Sequence, residues 1–373
     1  MAAEPFTQLA TTLTPVHQPV SDTEAEVMLS ELVSIASPSR QEGEAVRHLV
    51  GWMQAHGYDQ AFVDPAGNAV GIIGTGQRDV VLLGHIDTFG GSLPVRTEGR
   101  TLYGRGAVDA KGALCTFAVA AANARAQLPP DTRLIVIGAV EEEAPTSAGA
   151  RYALTQYQPA ICLIGEPSRW DRITLGYKGR LVMHLEIRSG LSHSAGQHAT
   201  PAERAVEVWT RIQAEAAAIN TGPDRDRVFD RLDTALQAFN TGDDGVHGWA
   251  RLTVGFRLPP SIEPDALTER LETLLADAEV SIRYEAREVA HVAERDTALS
   301  RALRGAIRAE GGRPAFVHKT GTSDMNIVAR GWNCPMAAYG PGDSALDHTP
   351  DECIDLDEYL RAIRVLTRAL SEV

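Results

Sequence analysis

The sequence predicts an α/β fold with a mostly parallel sheet, interrupted by a smaller α+β unit built on a largely antiparallel one. Three observations carry this expectation. Short runs that are apolar on both faces alternate with helical patterns, the mark of buried parallel strands joined by helices. Three of these runs end in histidine or acidic residues: 80–83 leads into Gly84-His85-Ile86-Asp87-Thr88, 133–140 into Glu141-Glu142-Glu143, and 161–164 into Gly165-Glu166-Pro167. Open α/β sheets bind ligands at the C-terminal ends of their strands, so this recurrence points to one shared site. Finally, around residue 178 the pattern changes to alternating, half-exposed strands.

In chain order, residues 1–20 mix Thr, Pro and Ala without periodicity, and Ser21-Asp22-Thr23-Glu24 fits a capping box that opens a helix to about residue 36. Ser37-Pro38-Ser39 breaks it, and a second helix over 41–56 stops at Gly57. Strands follow over 61–63, 69–73 and 80–83, then a glycine-rich approach to Asp109 and an alanine-rich helix from Lys111 to about residue 126. After the strands over 133–140 and 161–164, the order over 181–284 is strand, helix, strand, helix, strand. From about residue 290 the first style resumes and ends in an amphipathic helix over 356–370.

With 373 residues the chain has room for more than one domain, and 44% hydrophobic with 23% charged residues is ordinary for a globular protein. A net charge of −14 argues against nucleic acid or an anionic membrane as partner. Cys115, Cys162, Cys334 and Cys353 form no Cys-x-x-Cys pair, which favours buried free thiols in a reducing compartment. The first residues lack a basic leader pattern, and no apolar run reaches the ~18 residues of a membrane span. A cytoplasmic protein is expected.

A divalent metal needs deprotonated nitrogen and oxygen donors, and the candidates are His85, Asp109, Glu142, Glu143, Glu166 and His348. Taken singly, an acidic residue after a strand is most often a turn or helix cap. Three adjacent glutamates behind a buried strand repel one another unless cations compensate them. Positions 85 and 87 of a strand can face the same way, so Asp87 can orient the His85 imidazole. A dinucleotide or P-loop site is excluded: Gly104-Arg105-Gly106 lacks the later glycine and no Gly-Lys-Ser/Thr element exists.

Together, Gly84-His85-Ile86-Asp87-Thr88, Gly104-Arg105-Gly106-Ala107-Val108-Asp109-Ala110-Lys111-Gly112, the triple Glu and Ile164-Gly165-Glu166-Pro167-Ser168 resemble the M20 metallopeptidase and deacylase family. The resemblance implies a zinc-peptidase-like catalytic domain over 1–177 and 290–373 and an inserted dimerisation (lid) domain over 178–289. It implies two divalent metals, zinc with cobalt as the alternative, bridged by Asp109. His85 and Glu166 would complete one site, Glu143 and His348 the other, with Glu142 as general base and Asp87 as partner of His85. A register shifted by one would make Glu141 the base. Relatives also hold the peptide after the bridging Asp in the cis form. A histidine from the partner subunit of a homodimer would stabilise the tetrahedral intermediate, and His193 fits that motif with His198 as rival.

For substrate contacts, Arg257 offers a planar fork suited to a carboxylate. Thr320 and Gly321 offer backbone N–H groups, and Asn326 stands where some diaminopimelate-type relatives carry Arg. Tyr177-Lys178-Gly179-Arg180, His318-Lys319-Thr320-Gly321-Thr322-Ser323-Asp324-Met325-Asn326 and Leu346-Asp347-His348-Thr349-Pro350 look most like one subgroup. That subgroup releases lysine or ornithine from the C-terminal glutamate of an amino-group carrier protein, which a basic surface around Lys178, Arg180 and Arg257 would receive. The alternative is a small-molecule N-acyl amino acid deacylase acting on acetylornithine or acetyl-lysine.

Overall fold

The computed structural model describes residues 18–191, 198–222 and 225–373. Ser21 and Glu24 form the expected capping box of α1 (Asp22–Ser34), and α2 (Gly43–Ala55) follows. Next come β1 (Gln60–Val63), β2 (Ala69–Ile73), β3 (Arg78–His85), β4 (Arg96–Glu98), β5 (Thr101–Tyr103), α3 (Lys111–Ala124), β6 (Thr132–Ala139), α4 (Ala148–Gln156), β7 (Ile161–Gly165) and β8 (Arg172–Tyr177). The middle of the chain gives β9 (Gly179–Gly190), α5 (Pro201–Ile219), β10 (Asp233–Asp243), β11 (His247–Leu258), α6 (Pro264–Leu274) and β12 (Ser281–Glu288). The remainder is β13 (His291–Val292), α7 (Ala298–Ala309), β14 (Ala315–Lys319), α8 (Asp324–Val328), β15 (Met336–Tyr339), β16 (Cys353–Asp355) and α9 (Leu356–Leu370).

The large sheet runs β1-β2-β6-β3-β7-β15-β8-β13, with β14 also paired to β8. Its centre, β6-β3-β7-β15, is parallel throughout. Val80 to His85 are all buried, because α3, backed by α9, covers one face while α4 and α8 lie on the other side of the sheet. Leu114, Phe117, Tyr359 and Leu366 fill the first layer, and Ala150, Met325, Val328 and Trp332 the second. Each fully buried Leu, Val or Phe contributes about 1.5–3 kcal/mol relative to exposure, which fixes the strand ends firmly.

Gly84 and Gly165 are register partners in β3 and β7, and a Cβ on Gly165 would fall 2.9 Å from Gly84 Cα and 3.1 Å from the Phe117 ring. Two missing side chains thus let α3 lie close to the sheet just before the strands end.

β10-β11-β9-β12 form a separate antiparallel sheet whose own apolar cluster includes Leu185, Val208, Ile212, Val254, Phe256 and Leu271, with α5 and α6 packed on it. The sequence pattern missed β10, so this unit has four strands rather than three. Along β10 most residues are exposed or half-buried on both faces, so no alternation marks it. β8 was also missed, as were the short strands β4, β5 and β16, which build a small antiparallel sheet of their own. All four cysteines are free thiols, Cys115 and Cys162 buried and Cys334 and Cys353 only partly so. Among the described residues no helix is long and apolar enough to cross a membrane.

Candidate active site

Four adjacent parallel strands deliver their C-terminal ends to one sheet edge. β3 ends in His85, β6 runs into the three glutamates, β7 into Glu166, and the segment after β15 carries Asp347 and His348. Asp109 enters from the loop before α3, and its peptide bond to Ala110 is cis. These groups line a cavity of about 460 Å³ together with Phe89, Tyr177, Arg180, Gln237, Arg257, Lys319 and the Thr320-Gly321-Thr322 segment.

Two donor sets meet on Asp109. His85 Nε2 lies 3.2 Å from one carboxylate oxygen and His348 Nε2 lies 3.0 Å from the other. Glu143 approaches His348 Nε2 to 2.9 Å. His85, Asp109 and Glu166 can present ligand atoms within 4.8 Å of one another, as can Asp109, Glu143 and His348. Burial pulls the His85 imidazole down, yet Asp109 and Asp87 outweigh it and hold its pKa well above the ordinary value. Burial raises Asp109, but His348 and His85 hold it below the usual carboxylate range.

The surroundings are overloaded with acid. Burial pushes Glu142 and Glu166 well above the usual carboxylate range, with like-charged neighbours adding to the effect. Burial likewise raises Asp347 to about 8 and Asp324 to about 7. Closely packed carboxylates and imidazoles sharing one bridging carboxylate are the donor set that divalent cations satisfy, so the residues fit a metal pair.

Asp87 reaches further than its histidine. Its carboxylate accepts the N–H of Glu142 at 3.1 Å and of Glu143 at 3.0 Å, and the Ser39 hydroxyl donates to it at 2.7 Å. His85 Nδ1 lies 3.0 Å from the Asp87 carbonyl oxygen and 3.5 Å from its carboxylate. Of the three glutamates, Glu142 and Glu143 line the cavity. Glu141 is in the left-handed region at φ 60, its N–H donates to Glu42 at 3.1 Å, and its carboxylate meets Arg40 and Thr146.

Arg257, Thr320 and Gly321 line the cavity, and Arg257 donates to the Thr322 hydroxyl at 3.0 Å. Two expected contacts are corrected. Lys178 is 0% exposed, and its ammonium is committed to the Arg231 carbonyl and the Asp233 carboxylate, so it belongs to the packing between sheets. Asn326 is buried within α8: its amide donates to the Lys178 and Val289 carbonyls at 3.1 and 2.8 Å and its oxygen accepts the Ser323 N–H. Neither lines the cavity. His193 lies outside the described residues, and His198 is exposed and away from the cavity.

Sequence reasoning missed Glu352, which is 1% exposed and accepts the N–H groups of Val108 and Asp109 at 3.1 and 3.2 Å while pairing with Arg105 at 2.7 Å. It lies 243 residues from Asp109, so no local pattern links them. Phe89, stacked on the His348 ring at 4.3 Å, carried no signal either.

A doubly covered α/β sheet whose edge gathers two donor sets on one aspartate defines a metal-dependent hydrolase. The chain belongs to Peptidase family M20/M25/M40, whose profile it matches over residues 81–372. It is 47% identical over 355 residues to the [LysW]-lysine hydrolase of Deinococcus radiodurans, covering 94% of this chain and 97% of that protein. It is 37% identical over 356 residues to a putative [LysW]-lysine/[LysW]-ornithine hydrolase of Thermococcus kodakarensis, covering 95% and 93%. Among solved structures, the M20 family metallo-carboxypeptidase Sso-CP2 of Sulfolobus solfataricus shares the fold, with a TM-score of 0.75 at 17% identity over 94% of this chain and 99% of that one. The YXEP protein of Bacillus subtilis, a dinuclear metal binding peptidase from the M20 family, gives a TM-score of 0.65 at 14% identity, covering 95% and 98%.

Proposed function

We propose that this chain hydrolyses the amide joining lysine, or ornithine, to the C-terminal glutamate of an amino-group carrier protein. The observation that carries the reading is the 47% identity, over nearly the whole of both chains, to a [LysW]-lysine hydrolase. The cavity supports it chemically, since Arg180, Arg257 and Lys319 line the same cavity as the acidic donor sets and offer cations to an anionic substrate. The small-molecule deacylase reading uses the same donors, but the named relatives favour the carrier conjugate.

In this reading His85, Asp109 and Glu166 hold one metal, and Asp109, Glu143 and His348 the other, with zinc the first candidate and cobalt the second. When bound, such a pair polarises the scissile carbonyl and acidifies a water. Glu142, held by the Asp87 bond to its N–H, would serve as the general base that takes a proton from water and returns it to the leaving amine. Arg257 grips a substrate carboxylate, and the Thr320-Gly321 backbone lines the same wall. The segment over 178–289 is read as the dimerisation unit, supplying His193 to the partner's site in a cytoplasmic homodimer.

The test is to incubate the metal-loaded protein with carrier-lysine, carrier-ornithine and acetylornithine. Release of lysine or ornithine from the carrier conjugates supports the reading, and cleavage of acetylornithine alone replaces it with the deacylase. The same assay, repeated after reconstitution with zinc or cobalt, decides the metal.

A further inference from the structure

Across the four strands of the small sheet one row of cross-strand partners reads Asp233, Arg257, Arg180, Glu288. Two guanidiniums therefore stand directly opposite each other on β11 and β9, an arrangement that destabilises an antiparallel pair when nothing compensates it. Both line the catalytic cavity. Arg188, Arg251, Arg283 and Arg287, on the same sheet, each hold a carboxylate. Arg257 has the Thr322 hydroxyl. The Arg180 side chain forms no hydrogen bond or close ion pair with any described residue, and Glu288 attracts it only at longer range. A half-buried, unpaired guanidinium beside another one is a site prepared for an anion.

The substrate read above supplies two. A C-terminal glutamate has two carboxyl groups, of which one is in the scissile amide and the other free, and the released amino acid carries its own carboxylate. The latter lies one carbon from the scissile nitrogen. The free glutamate carboxylate lies three carbons from the scissile carbonyl whichever carboxyl is linked. In the sheet Arg180 sits one strand further from β10 than Arg257, next to Glu288 on β12.

We propose that Arg180 is a specificity-determining residue that binds the free carboxylate of the acyl-side glutamate, while Arg257 takes the carboxylate of the released amino acid. Arg180 thus selects glutamyl-linked substrates over simple acyl amino acids. The inference rests on the carrier-hydrolase reading and deepens it.

The experiment compares kcat/KM of the metal-loaded wild type, R180Q, R180K and R257Q on Nα-(N-acetyl-γ-glutamyl)-lysine, its α-linked isomer and Nα-acetyl-lysine. The readout is the ratio of glutamyl to acetyl substrate, which does not depend on how much of a variant is folded. Wild type is expected to prefer one glutamyl isomer. R180Q is expected to lower that ratio about 30-fold or more, chiefly through KM, and R180K to recover part of it. R257Q should lower both substrates and leave the ratio within about threefold. A wild-type preference that survives R180Q overturns the role of Arg180 and leaves the carrier reading standing. A wild type without preference for either glutamyl isomer overturns both.

Discussion

The Asp87 carboxylate receives the backbone N–H of Glu142 at 3.1 Å and, through its other oxygen, that of Glu143 at 3.0 Å. One buried side chain at the end of β3 therefore fixes the loop after β6. His85 and the two glutamates are held to a common reference, with Ser39 completing the carboxylate's partners.

Removing that reference should do more than loosen an imidazole. Asp87→Ala strands two buried N–H groups and frees the Glu142 loop, so kcat should fall at least about 10²-fold together with a 10–100-fold loss of metal affinity. Ser39→Ala removes one of the partners and should cost much less. Metal titration alongside steady-state kinetics checks both, and unchanged kcat at full metal occupancy in Asp87→Ala would refute the double role.

Glu142→Gln keeps shape and hydrogen-bonding capacity but removes the base. Turnover should fall about 10²–10⁴-fold while metal content, measured by elemental analysis, stays at the wild-type level. Near-normal turnover with full metal would return attention to Glu141, which the structure turns toward Arg40 and Thr146.

The catalytic edge was legible because its signals are local. A strand buried on both faces followed at once by His, Glu or Asp survives in the sequence as a contiguous pattern, and His85, Glu142, Glu143 and Glu166 all have that form. Glu352 does not, because its link to Asp109 exists only when the loop before α3 meets β16. Lys178 and Asn326 show the opposite failure. Both read as substrate contacts, yet Lys178 is taken up by the Arg231 carbonyl and the Asp233 carboxylate, and Asn326 by the Lys178 and Val289 carbonyls. β10 was invisible because neither of its faces is buried enough to impose a period of two.

Asn326 consequently belongs to stability. Asn326→Ala leaves the Lys178 and Val289 carbonyls and the Ser323 N–H without their partner, which should cost about 2 kcal/mol or more. Denaturant midpoints at a constant slope check this, and an unchanged midpoint with a raised KM would restore the substrate-contact role.

If His193 acts across a twofold interface, His193→Ala and Glu142→Gln are each inactive for different reasons. Mixed dimers then contain one intact site, so random mixing should restore about a quarter of wild-type activity. Activity that stays at the sum of the two parents after subunit exchange, verified by mass spectrometry of tagged chains, removes the histidine from the partner's site.

Glu352 offers the sharpest separation of positioning from ligation. Its carboxylate holds the N–H groups of Val108 and Asp109 and is itself held by Arg105, so it sets where the bridging carboxylate points without reaching the cavity. Glu352→Gln keeps the volume, but one end of the amide becomes a donor. It must then face either two N–H groups or a guanidinium, and either choice leaves buried donors opposed. Because Asp109 serves both donor sets, metal affinity at the two positions should fall together, about 10–100-fold, while the KM measured at saturating metal changes little. Loss at one position only would mean that Asp109 is oriented from the histidine side, by His85 or His348, rather than from its own backbone.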